Sequence, residues 1–96
     1  MYEISYSKAS EKYFKKIRDR NLLAAFKAAI DKIKDNPEIG TQKIGDLHGI
    51  YGYDVMLNSI NYELAYRFYE EKRLVVIILV GTRENFYKEL KRLIKS

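Results

Sequence analysis

Leu74-Val75-Val76-Ile77-Ile78-Leu79-Val80 runs into Gly81-Thr82-Arg83-Glu84-Asn85-Phe86-Tyr87, and then into Lys88-Glu89-Leu90-Lys91-Arg92-Leu93-Ile94-Lys95. An apolar run without alternation predicts a strand covered on both faces. The glycine ends it. Thr82 is a fair N-cap for a helix over 83–95. Phe86, Leu90, Leu93 and Ile94 would form its buried stripe, with Lys88, Lys91, Arg92 and Lys95 on the other faces. Residues four apart share a helix face, so Arg83 and Tyr87 are expected to project together beside the strand end. A guanidinium and a phenol held there suit an anionic phosphate ester better than a core.

Upstream of this run lie two further strands, over 50–57 and 62–70, with the apolar strand itself over 73–81. Asn58-Ser59-Ile60-Asn61 reads as the first turn and Glu70-Glu71-Lys72 as the second. Such short connections force antiparallel pairing. Alternation puts Tyr62, Leu64, Tyr66 and Phe68 on one face, expected against helices. Glu63, Ala65, Arg67 and Tyr69 fall on the other, which reads as too polar for a core and is expected to line an open surface. Asp54 is expected to share that surface with Glu63 and Arg67, near Arg83.

Further upstream, residues 2–6 alternate as a short strand, and Ser7 is a plausible N-cap for a helix over 8–18. That helix places Tyr13, Phe14 and Ile17 on one side and Lys12, Lys15, Lys16 and Arg18 largely on the other. A second helix carries Leu22, Phe26, Ala29, Ile30 and Ile33 at helical spacing. Asn36-Pro37 ends it, because proline disfavours helical geometry in the residue before it. Two helices joined so closely form an antiparallel hairpin. Residues 38–49, with Gly40, Gly45 and Gly49, read as a loop. The expected fold is α+β: a small antiparallel sheet packed on an N-terminal helical hairpin, with a C-terminal helix, in the order βααβββα. Residues 1–96 are read as a single domain.

Composition bounds the function. The chain has 96 residues, 47% of them hydrophobic, with 9 Tyr and 4 Phe. It is long enough for one core. A net charge of +5 permits a polyanion or an acidic protein as partner. The absence of cysteine excludes a disulfide framework and a thiolate metal site, and a lone histidine gives no structural zinc set. No metal or cofactor is expected. The N-terminal residues lack the pattern of a signal peptide, and the apolar run at 74–80 falls far short of a membrane span. The chain reads as cytoplasmic.

The strand–Gly–x–Arg–x–x–x–Tyr ending, the order βααβββα, the lysine-rich first helix and the phrase Gly45-Asp46-Leu47-His48-Gly49-Ile50-Tyr51 together resemble the RelE/ParE superfamily of bacterial toxins. The resemblance covers nearly the whole chain. It implies the toxin of a type II toxin–antitoxin pair, neutralised by a cognate antitoxin that wraps it in a hetero-oligomer. The RelE branch implies mRNA cleavage in the ribosomal A site without metal or cofactor; the ParE branch implies inhibition of DNA gyrase. The chain departs from RelE-type patterns at Tyr53-Asp54-Val55 and Tyr62-Glu63-Leu64, where arginines are usual in place of Asp54 and Glu63, and at Thr82, where histidine is usual. These exchanges favour gyrase inhibition or a decayed antitoxin-binding module, whereas Arg83 with Tyr87 favours mRNA cleavage.

Metal-free RNA cleavage needs a base for the 2′-OH proton, cations for the phosphate and an acid for the 5′-oxygen. The candidate catalytic residues are Arg83, Tyr87 and Glu63, with Glu63 as base and Tyr87 as stacking platform or proton donor. The candidate RNA- and phosphate-binding residues are Arg67, Lys43 and His48. Glu63 and Arg67, two apart on one strand, can equally pair in solvent. Tyr87 can simply pack on the sheet edge. A lone loop histidine and a solvated lysine are the plainer readings of His48 and Lys43.

Overall fold

Short turns and one bulge decide the arrangement seen in the computed structural model, which describes residues 1–95. The elements are β1 (Glu3–Tyr6), α1 (Lys8–Lys16), α2 (Arg20–Asp35), β2 (Thr41–Gln42), β3 (Tyr51–Leu57), β4 (Ile60–Tyr69), β5 (Leu74–Thr82) and α3 (Phe86–Lys95). The strands form one five-stranded sheet in the order β1-β5-β4-β3-β2. The α+β class, the helical hairpin and the closing helix are those expected from the sequence. The sheet is mixed, because β1 joins β5 in parallel, Glu3 beside Leu74 and Tyr6 beside Ile77. The intervening helices carry the chain across, as a parallel neighbour requires. A two-residue edge strand, β2, was not foreseen in the loop before β3; it pairs Thr41 with Gly52 and Gln42 with Tyr51.

Local chemistry sets the boundaries. Ser7 caps α1, its Oγ accepting from the Ser10 N–H, and Asp19 caps α2, accepting from Asn21 and Leu22. The β3–β4 turn is tighter than the sequence suggested. Only Asn58 and Ser59 lie between the paired residues Leu57 and Ile60, with φ of 52° and 65°. Two left-handed residues are the signature of the hairpin turn whose twist matches its strands.

The apolar strand β5 sits between β1 and β4 and is covered on both faces, as its composition demanded. Val75, Ile77 and Val80 enter a core with Phe26, Ile33 and Leu64 beneath the helical hairpin. Ile78 and Leu79 pack on the opposite side, against Leu47, Ile50, Ala65, Phe86 and Leu90. Two successive residues can face one way because β5 bulges: Ala65 pairs with Leu79 and Tyr66 with Ile77, so Ile78 has no opposite residue. A bulge loosens the ladder locally. Here the start of α1 supplies partners. Ser7 N–H donates to Ile77 O at 2.9 Å. Ser7 Oγ lies 2.6 Å from Ile78 O, and the fully buried Ser10 Oγ lies 3.1 Å from Ile77 O.

The second sheet face corrects the sequence reading. It was expected to be open; α3 and the turn at Gly45–Leu47 cover much of it, and Glu63 and Ala65 are buried. The closing helix also starts later than expected. Gly81 and Thr82 still pair with Glu63 and Tyr62, so Thr82 belongs to the strand and caps nothing. The chain then turns through Asn85, at φ 61°, before Phe86 opens the helix. Among the described residues no helix is long and apolar enough to cross a membrane.

Candidate functional site

The side chains at one end of the sheet gather around Glu63. On β3 and β4, Asp54 and Glu63 are direct cross-strand partners on the α3 side. Just past β5, Arg83 N–H donates to Asn61 O, which fixes its backbone beside the same strand end. Its guanidinium turns back over the pair: Nη1 is 3.1 Å from Asp54 Oδ1 and Nε is 3.8 Å from Glu63 Oε1. From the other side comes Lys43, whose backbone N–H is held by Ile50 O. Its Nζ sits 2.8 Å from Glu63 Oε2 and 4.8 Å from the centre of the Tyr87 ring, a cation–π distance.

Exposure divides this group into a base and a rim. The side chains of Glu63 and Lys43 are 4% and 12% exposed, whereas those of Arg83 and Asp54 are 49% and 59% exposed. Tyr87 is likewise half exposed. Glu63 therefore sits at the bottom, with one carboxylate oxygen to each cation. Solvent reaches Arg83, Asp54 and the Tyr87 ring.

Lys43, Glu63, Arg83 and Tyr87, each singled out from the sequence, meet in this cluster. The route differs from the one expected. Arg83 lies in the turn before α3 and Tyr87 inside it, so they share no helix face; Lys43 and Glu63 link them. Glu63 pairs with Lys43, not with Arg67. Arg67 lies four residues along β4, roughly 13 Å at strand rise, beyond the point where Phe86 and Leu90 cover Ala65. His48 is exposed at the end of its turn, its backbone N–H donating to Gly45 O. Among the described residues, no contact joins Arg67 or His48 to the cluster. Asp54 is the member for which the sequence proposed no role; alternation put it on the face of Glu63, the strand register sets it beside Glu63, and the turn at 83–85 brings Arg83 onto it. Among the described residues, no group of three or more His, Cys, Asp or Glu is placed to hold a metal ion.

A groove of about 1320 Å³ lies elsewhere, along the free edge of β1 beside the helical hairpin. Ile4, Tyr6, Phe14, Leu23 and Ile30 give it an apolar lining, and Lys15 and Lys27 stand among its charged residues.

A family model described as the ParE-like toxin of type II bacterial toxin–antitoxin systems matches residues 4–91. The chain belongs to this toxin family. Solved structures agree on the fold. An isolated E. coli RelE toxin, a mutant with two arginines changed to alanine, superposes with a TM-score of 0.75 at 22% identity, covering 98% of this chain and 95% of that one. RelE in the E. coli RelBE toxin–antitoxin complex gives 0.70 at 23% identity, covering 84% and 95%. The RelBE2 toxin–antitoxin complex of Mycobacterium tuberculosis gives 0.68 at 24% identity, covering 85% and 91%. At these identities the likeness to RelE speaks for the fold alone. A search of curated proteins finds no match.

Proposed function

We propose that this toxin is a ribosome-dependent mRNA endonuclease that needs no metal, held in check by a cognate antitoxin. The observation that carries the reading is the convergence of Lys43, Arg83 and Tyr87 around Glu63 at an open sheet end. In this reaction a ribose 2′-OH gives up its proton and attacks the adjacent phosphorus. The bond to the 5′-oxygen breaks and that oxygen takes up a proton, leaving a 2′,3′-cyclic phosphate and a 5′-hydroxyl. Arg83 is half exposed, so its guanidinium can exchange Asp54 for the scissile phosphate, with which it forms a bidentate, charge-assisted contact. Asp54, the exposed carboxylate, is then free to take the 2′-OH proton. Tyr87 supplies a stacking surface or the proton for the leaving oxygen. The burial of Glu63 supports a holding role for it, fixing Lys43 and Arg83, in place of the base first expected of it.

The antitoxin is assigned to the apolar groove along the free β1 edge. The second sheet face is largely covered by α3 and the turn at Gly45–Leu47. A strand edge beside an apolar groove is suited to an extended segment that adds to the sheet. Co-expression with the neighbouring small reading frame should give a tight complex and restore growth.

One observation favours a second reading. Asp54 and Glu63 neutralise Arg83 and Lys43 within the cluster, which suits a gyrase inhibitor with no catalysis of its own. Primer extension on mRNA in a translating extract, run beside a gyrase supercoiling assay, separates the two. Discrete cleavage sites with normal supercoiling support the endonuclease; intact mRNA with blocked supercoiling removes it.

A further inference from the structure

Gly52 stands in the interior of β3, between Thr41 on β2 and Ala65 on β4. Glycine weakens a strand there, so its place needs a reason. Backbone conformation does not provide one: Gly45 and Gly49 have positive φ, and Gly52 does not. The surroundings do. A Cβ on residue 52 would fall on Glu63 Oε2 and lie 3.0 Å from Lys43 Nζ. The space left by the absent side chain is the space in which the buried ion pair lies. We propose that Gly52 is a positioning residue, which leaves room for the Lys43–Glu63 pair and thereby fixes the Lys43 ammonium beneath the Tyr87 ring. The consequence for RNA rests on the endonuclease reading; the consequence for Lys43 does not.

The atoms nearest to a methyl group at 52 are the tips of two side chains, Glu63 and Lys43. The carboxylate must swing away, and Lys43 loses the partner that holds it. None of the three atoms nearest to that methyl belongs to the backbone. A displacement of about 1 Å in a catalytic constellation can cost about a hundredfold in rate.

The test compares wild type, Gly52→Ala and Gly52→Ala/Glu63→Asp, whose shorter carboxylate withdraws from the new methyl. Each full-length protein is labelled with an amine-acylating reagent and read by mass spectrometry, and each is assayed for mRNA cleavage. Lys43 should label several-fold faster in Gly52→Ala than in wild type, relative to the other lysines. Cleavage should fall between about tenfold and a hundredfold, and both changes should be partly reversed in the double variant. If Gly52→Ala fails to fold, recovery of the fold in the double variant reports the same overlap; failure of both overturns the proposal. Folded Gly52→Ala with Lys43 as protected as in wild type overturns it too, whereas faster labelling with unchanged cleavage supports the role of Gly52 and removes Lys43 from the cleavage step. A wild type that cleaves no RNA removes the endonuclease reading, and the labelling of Lys43 alone then decides the role of Gly52.

Discussion

Glu63 carries a carboxylate to a place where 3% of its surface meets water, and it is tolerable there because each oxygen faces a cation. Taking away one partner of such a pair strands the other. Glu63→Ala leaves the mostly buried Lys43 ammonium without its anion, which costs about 3–5 kcal/mol. For a domain of this size that should lower the melting temperature by well over 10 °C, at roughly 4–8 °C per kcal/mol; thermal unfolding followed by circular dichroism measures it. A shift of only a degree or two would mean the pair is solvated and weak. The members of this cluster were legible from the sequence one by one, through the strand alternation that places Glu63 and Asp54 and the Gly–x–Arg ending that places Arg83. Their partners were not. Lys43 lies in a stretch without periodicity, so nothing in the local pattern says that it reaches under Tyr87. The burial of Glu63 depends on α3 and the turn around Leu47, which arrive from distant parts of the chain.

At the scale of elements, period and punctuation carried the helical hairpin, the Pro37 stop and the apolar strand. What escaped was the bulge in β5. A run of Ile and Leu looks the same whether or not it changes phase, and the signal lay far away in Ser7 and Ser10. The Ser10 hydroxyl is fully buried within reach of the bulge carbonyl of Ile77. Ile77 O keeps the Ser7 N–H, so Ser10→Ala should cost about 0.5–1.5 kcal/mol, the net worth of one hydrogen bond; urea unfolding should show a lower midpoint with an unchanged slope. The loop after α2 is tied down by a phenol. Tyr66 OH donates to Pro37 O at 2.6 Å and accepts from Gly40 N–H at 3.0 Å. Burial pushes the Tyr66 phenol up from 10.0 to about 12. The folded state thus prefers the protonated form. That contribution is whole below pH 10 and is lost as the pH rises from 10 towards 12. The Tyr66→Phe protein should be less stable than wild type at neutral pH and should lack this part of the alkaline loss in pH-dependent unfolding. Parallel alkaline curves for the two proteins would contradict that account.

For the whole molecule, the architecture follows from how two apolar surfaces are covered. The helical hairpin takes one sheet face and α3 takes much of the other, so the proposed catalytic group lies at the uncovered sheet end and the proposed antitoxin surface at the free β1 edge. The membership of the chain in a toxin family rests on residues 4–91; the proposed chemistry rests on the cluster. Since Arg83 is half exposed and lies outside both cores, Arg83→Ala should keep the fold and lose only the site. The most direct measurement is single-turnover cleavage of ribosome-bound mRNA, with end-group analysis and excess chelator, by wild type and by Arg83→Ala. Wild type should yield 2′,3′-cyclic phosphate and 5′-hydroxyl ends, and Arg83→Ala should be slower by about two orders of magnitude, the loss expected when one preorganised donor to the developing charge is removed. Equal rates from a folded Arg83→Ala protein, or no cleavage by wild type, would contradict the account.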